Sequence, residues 1–439
     1  MSILLLPVLF PVLLQGSAPT QADAPGCPLR PVEAVRLPDL NIARSGHSAL
    51  MAGGEPTVFG GHTSGFVLTP TAEYFSNGTW HTLDMIYAHD GGFSVQLRSG
   101  QILIGGGYKD NLGISHSYEA ELYNPGTHTF TGFGCLDRKR ASSTTVELAD
   151  GQVLIAGNWY ADDGMELYDG HYTFSPLKGT VQSRYLPHLF RTDGGDVLVV
   201  GGYDNRGEAL DTILVDRMTG EPFSSPVFSH WRPLHYDIPF HNAESFTGDE
   251  TRGVFSYLLP VKNDSGQMAI VQVHDTVFSL LPTDFPVPVA SPWGDIQWYS
   301  PVYTDRQRQR GYITGCDATG RQYALSIDYA QTPARLTLHH TPPLTDSKAL
   351  TTPMLTDDGN LMLTGFKFPG PTFNFFPSPQ VWLLQFNSPA PASSHSRLPW
   401  LWILVTLVLL ALLAALLLRG TVARRLRGSP HPQKRRKAD

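Results

Sequence analysis

Phe93–Gly107 reads FSVQLRSGQILIGGG, Ser143–Gly157 reads STTVELADGQVLIAG, and His188–Gly202 reads HLFRTDGGDVLVVGG. Each is an alternating strand, a turn of Ser-Gly, Asp-Gly or Gly-Gly, and a β-branched strand ending in small residues. That is the signature of a tight β-hairpin. His47–Gly61 (HSALMAGGEPTVFGG) is an earlier copy. A loop follows each hairpin, and then a third strand: Ala72-Glu73-Tyr74-Phe75, Ala120-Glu121-Leu122-Tyr123 or Met165-Glu166-Leu167-Tyr168. A fourth, aromatic strand closes the unit, as in Thr79-Trp80-His81-Thr82-Leu83.

The unit is therefore a four-stranded antiparallel sheet with strands a to d. One such sheet cannot bury both its faces, so neighbours must stack into a closed β-propeller. The double glycines are expected where strands crowd toward the axis of the ring. Weaker copies follow at Gly253–Leu259 (GVFSYLL), Gly311–Gly315 (GYITG) and Leu361–Gly365 (LMLTG). The spacing, about 45–60 residues throughout, marks a repeat array. The expected fold is all-β, with about seven four-stranded blades over residues 35–386 and six as the alternative count. The last unit supplies only three strands, ending Val381-Trp382-Leu383-Leu384. Val35–Leu40 is expected to return as its outer strand, where Pro38 is tolerated on an unpaired edge.

Composition narrows the setting. Of 439 residues, 41% are hydrophobic, which supports a packed core, and the 42 Gly and 35 Pro are scattered as turns require. Three cysteines (Cys27, Cys135, Cys316) are too few for a disulfide framework and show no zinc-ligand spacing. Residues 419–439 carry eight of the 32 Lys and Arg and one of the 39 Asp and Glu, so the preceding chain holds 24 basic against 38 acidic residues, a net of −14. An acidic body excludes nucleic acid as its partner, because phosphate contacts need Lys and Arg.

The ends predict export and tethering. Residues 3–14 (ILLLPVLFPVLL) followed by Gly16-Ser17-Ala18 read as a signal peptide over 1–18, with an uncleaved anchor as the alternative. An N-terminal segment spans 19–34. Leu398–Leu418 is 21 uncharged, Leu-rich residues with Trp400 and Trp402 at its start, a transmembrane helix by length and apolarity. Residues 387–397 form a Pro/Ser linker before it, and the basic tail 419–439 is expected in the cytoplasm. The propeller then lies outside the cytoplasm, on a single-pass membrane protein.

The run "DGQVLIAG … MELYD", with its double-glycine kin and aromatic final strand, resembles the Kelch-repeat propellers, especially the galactose-oxidase-like group. The resemblance covers about residues 35–386 and implies one sharp chemistry, a copper radical oxidase acting on alcohols or sugars. Such enzymes place a copper-ligand Tyr after an Arg-Gly pair at the start of an a-strand. The matching stretch here is Arg140-Ala141-Ser142, and Ser142 cannot supply a phenoxyl radical. Their Arg-x-Tyr-His motif meets Arg184-Tyr185-Leu186-Pro187 here. The copper ligands do not carry over, and neither a metal nor another cofactor is expected.

Binding is expected on the face where the d–a connections and b–c loops gather. The candidate ligand-binding residues are Tyr108, Trp159, Tyr160, Arg184, His188, Tyr203, Trp231, Arg232 and His235. Aromatics stack on sugar rings or peptide side chains, and Arg fixes polar groups. Aspartates and asparagines after a glycine pair are ordinary turn residues, and Asp162-Asp163 read as turn carboxylates, with a calcium-ligand pair or a general acid/base as the alternative. The expected partner is a glycan or protein outside the cytoplasm. The alternative is a carbohydrate-active enzyme, a sugar isomerase or oxidoreductase, using Arg140, Arg184, His188, Asp162 and His235 on the same face.

Overall fold

In the computed structural model the glycine-ended hairpins pair antiparallel as predicted: Ile102 faces Gln96 and Gly105 faces Phe93, while Val153 faces Glu147 and Ala156 faces Thr144. The structure describes residues 26–110, 115–158, 165–177, 184, 186–203, 213–215, 220–222, 225–234, 252–368 and 376–386. The chain divides into two units, Met1–Phe386 and Asn387–Asp439, and the second lies wholly outside the described residues. So do the predicted signal peptide and Leu398–Leu418. Among the described residues no helix is long and apolar enough to cross a membrane.

The fold is a β-propeller. Sheets of four or more strands number seven among the described residues: five of four strands, one of five and one of six. Sheet 1 is Ser48–Ala52, Glu55–Phe59, Thr71–Ser76 and Thr79–Asp84. Sheets 2, 3 and 4 begin at Phe93–Gln96, Thr144–Glu147 and His188–Arg191. In sheet 5 the b-, c- and d-strands are Ser256–Lys262, Met268–His274 and Val277–Leu280, with Arg232–Pro233 on the inner edge. Sheet 6 centres on Arg310–Cys316, Arg321–Asp328 and Arg335–Pro343. Its inner strand is split into Gln297–Trp298 and Tyr303–Asp305 around Pro301, which has no N–H to donate.

Hydrophobic clusters link each sheet to the next. Phe59 of sheet 1 packs with Ile104 and Tyr123 of sheet 2. Leu103 and Leu122 of sheet 2 meet Val153 and Ile155 of sheet 3. Leu154 meets Val197 and Val199, and Leu198 and Val200 then meet Tyr257 and Leu259. Leu258 and Ile270 of sheet 5 join Trp298, Ile313 and Leu325 of sheet 6, and Tyr312 and Ala324 join Leu361 and Leu363 of sheet 7, which is built on Leu350–Leu355, Leu361–Phe368 and Val381–Gln385. Met354 and Met362 return to Ala49, Val58 and Trp80 of sheet 1. Because side chains alternate across a strand, runs such as Val153–Ala156, buried at every position, serve two interfaces at once.

The seam of the ring is stitched by the N-terminus. Glu33–Leu37 pairs antiparallel with Val381–Gln385, Val35 facing Leu383, and so forms the outer strand of sheet 7. The strand lies slightly earlier than the predicted Val35–Leu40. Pro38 falls just past it, where its carbonyl accepts from Trp80 Nε1 at 3.0 Å. A second contact has no counterpart in the sequence reading: Leu29–Pro31 pairs in parallel with Leu338–His340 of sheet 6. The N-terminal segment thus bridges two sheets. All three cysteines are free, with Cys316 buried and its thiol pushed up to about 12 by burial.

Candidate functional site at the loop face

Antiparallel alternation sends the d–a connections and b–c loops to one end of the sheets. There the repeat builds an anchor. Four residues before the a-strands of sheets 1 to 4 stand Arg44, His89, Arg140 and Arg184. Each reaches the carbonyl of the glycine just past its own b-strand: Arg44 to Gly60 at 2.9 Å, His89 Nδ1 to Gly106 at 2.7 Å, Arg140 to Gly157 at 3.2 Å and Arg184 to Gly201 at 2.7 Å. In sheets 1 to 3 the same side chain also meets the third-strand glutamate, as Arg44–Glu73 (2.8 Å), His89–Glu121 (3.0 Å) and Arg140–Glu166. All three glutamates are 0% exposed. Their carboxylates also accept from the backbone of the d–a connection: Glu73 from Asn41 and Ile42, Glu121 from Ile86 and Tyr87, Glu166 from Asp137. Burial pulls the Arg44 guanidinium below its usual range, against the opposing pull of Glu73.

The anchor explains the double glycines. Gly60 and Gly61 have φ of 66° and 88°, and a Cβ on Gly60 would lie 2.3 Å from the His89 carbonyl oxygen. The glycines admit the connection of the next sheet across the strand end, rather than crowding at the axis as the sequence suggested. Inside this level runs a backbone chain. Gly91 N–H donates to Gly46, Ser142 to Gly91 and Leu186 to Ser142, at 2.7, 2.9 and 3.3 Å. All four residues stand two before their a-strands and have positive φ (68°, 64°, 56° and 49°), so Ser142 and Leu186 hold a conformation that favours glycine.

The residue after the glycine pair faces the loop end. In sheets 1, 2 and 4 it is His62, Tyr108 and Tyr203, and the matching sequence position in sheet 3 is Trp159. Backbone bridges Ser45–His62 and Asp90–Tyr108 confirm the shared register of the first two. His62 Nδ1 lies 2.8 Å from Asp90 Oδ1, and Phe66 covers the imidazole at 4.7 Å between ring centroids. His62 Nε2 is buried with no hydrogen-bond partner. Tyr108 is half-buried and meets His116 edge-on at 5.3 Å. His116 hydrogen-bonds the Asn158 side chain, and burial lowers its pKa. Outside this pair, Lys109 and Lys139 both lie over the exposed Tyr118 ring, at 5.3 and 5.9 Å.

The predicted residues thus separate. Tyr108 and Tyr203 occupy equivalent loop-face positions. Arg184 and His188 are buried in the frame, and burial pushes the His188 imidazole down to about 4. Trp231 packs against the core between sheets 4 and 5, and Arg232 is exposed, 3.8 Å from Asp264. Trp159, Tyr160, Asp162, Asp163 and His235 lie outside the described residues. Arg140, weighed as a catalytic residue, is 0% exposed and paired with Glu166. Sequence reading placed Asp90 on the loop face but missed His62 and the pairing between the two. His62 was signalled by its place after Gly60-Gly61, but its pairing to Asp90, 28 residues on, needs the neighbouring sheet. No group of three His, Cys, Asp or Glu side chains that could hold a metal ion occurs among the described residues. No protein-family model matches this chain, and no curated protein is significantly similar to it.

Proposed function

We propose that this chain is a membrane-tethered propeller of Kelch type, akin to the galactose-oxidase-like group, that binds a glycan or protein outside the cytoplasm through its loop face without catalysing a reaction. One observation carries the reading: His62, Tyr108 and Tyr203, with Trp159 at the matching sequence position, put a ring-bearing residue at the same point of four successive units. His62 and Tyr108 are bridged by backbone to d–a connections that Glu73 and Glu121 hold, so a ligand would meet these rings on a frame that pays little ordering entropy. The exported location and the tether rest on the N-terminal apolar run and on Leu398–Leu418. Screening the full-length protein against glycan and protein arrays tests the reading. Wild type is expected to capture a ligand that the Tyr108→Ala/Trp159→Ala variant fails to hold. Equal capture by both would remove the site from this face.

A carbohydrate-active enzyme is the second reading, and the His62–Asp90 pair is what favours it. Asp90 fixes Nδ1 and leaves Nε2 without a protein partner, the arrangement of a general base. Turnover of a sugar that His62→Gln abolishes while Tyr108→Ala spares it would establish this reading over the first.

A further inference from the structure

Away from the loop face, sheet 6 carries a cavity of about 240 Å³ lined by basic side chains. Three of its walls come from strands in direct register: Arg310 faces Asp328, and Asp328 faces Arg335. One step along the same face, Ser326 opposes Thr337. The N-terminal strand missed by the sequence reading adds Arg30, set opposite His339. Phe386 closes the side, 4.7 Å from Tyr312 and 5.0 Å from His339 between ring centroids. Three guanidinium groups here face one carboxylate, in a body whose net charge before the tail is −14.

We propose that this cavity binds a small oxyanion, a phosphate, sulfate or carboxylate group, held by Arg30, Arg310 and Arg335. Guanidinium forks match such groups with paired N–H donors. Ser326 Oγ lies 3.3 Å from the Thr337 carbonyl, to which it donates, and 3.0 Å from His339 Nε2. The His339 imidazole lines the same cavity. Its pKa is pushed down to about 4, by burial first and then by Arg30, Arg310 and His340, which marks a positive field that Asp328 does not cancel. The volume lies below the roughly 300–1,000 Å³ of sites for drug-sized ligands, so the occupant is an anion or an anionic group on about one ring. The inference does not depend on the loop-face reading.

Calorimetric titration of the detergent-solubilised full-length protein with inorganic phosphate, sulfate and glucuronate tests it. Wild type is expected to bind at least one of them saturably, and the anion preferred identifies the group recognised. Arg30→Gln and Arg335→Gln, both at exposed positions, are each expected to weaken binding by about tenfold or more. Asp328→Asn is expected to tighten it, an opposite sign that a merely damaged fold would not give. Arg36→Gln, on the neighbouring sheet, is the control and is expected to bind as wild type does. The proposal is overturned if wild type binds none of the three anions, or if Arg30→Gln and Arg335→Gln bind as wild type does.

Discussion

Sheets 1 to 3 and sheets 5 to 6 solve the same packing problem with different sequences. The first group repeats the glycine-ended hairpin, the residue four before the a-strand and the buried third-strand glutamate. The second group lacks the glycine pair and the glutamate anchor, yet Leu258, Ile270, Trp298, Ile313 and Leu325 form a continuous core between its two sheets. Stacking therefore needs only strands that are apolar on both faces. The motif does a separate job, which is to pin the connections at the loop end. Sheet 4 stands between the two: it keeps Arg184 and Gly201, but Ile213 takes the register position that Glu166 holds in sheet 3.

The sharpest way to break this division is to remove an anchor charge. Glu73→Gln or Arg44→Met strands a buried charge or polar group and is expected to cost about 3–5 kcal/mol in denaturant unfolding. The double substitution Arg44→Met/Glu73→Leu is expected to recover much of that loss while loosening residues 41–47, read as faster amide exchange. In the motif-poor half the matching probe is apolar. Leu325→Ala, at a fully buried site, is expected to cost about 2–5 kcal/mol and to leave amide exchange in the sheet 1–3 connections unchanged.

The pH dependence sharpens the view of sheet 4. His188 is held neutral by burial, with its pKa near 4 against an ordinary value of 6.5. A depressed histidine leaves stability intact above about pH 6.5. Stability then falls as the unfolded chain alone takes up the proton, by about 3 kcal/mol once pH reaches about 4. His188→Gln should flatten that part of the stability–pH curve. The smallest effect is expected at Ser142, whose φ of 56° favours glycine. Ser142→Gly relieves the left-handed strain and should raise stability by about 0.5–1 kcal/mol, less what glycine adds to the entropy of the unfolded chain.

The same division explains what the sequence revealed. Hairpins that end in glycine, and a last unit one strand short, are local patterns, so the propeller and its closure by the N-terminus were legible. Glu73, Glu121 and Glu166 were visible as a repeated letter, but their role was not, because their partners sit on connections that only folding brings alongside. Arg184 looked like a ligand contact because an arginine in a loop reads as exposed, whereas it is turned inward to Gly201. Arg30, Arg310 and Arg335 are distant in sequence and follow no period. Leu29–Pro31 is too short to carry a strand pattern.

The central claim is that the pinned end of the sheets is the binding end. It is tested most directly by comparing ligand capture by the full-length protein altered at each end. Tyr108→Ala/Trp159→Ala changes the loop face, and Arg98→Ala changes an exposed a–b turn at the other. Loss of capture in the first variant, with wild-type capture in the second, is the predicted result. The reverse pattern, or equal capture by both, would contradict it.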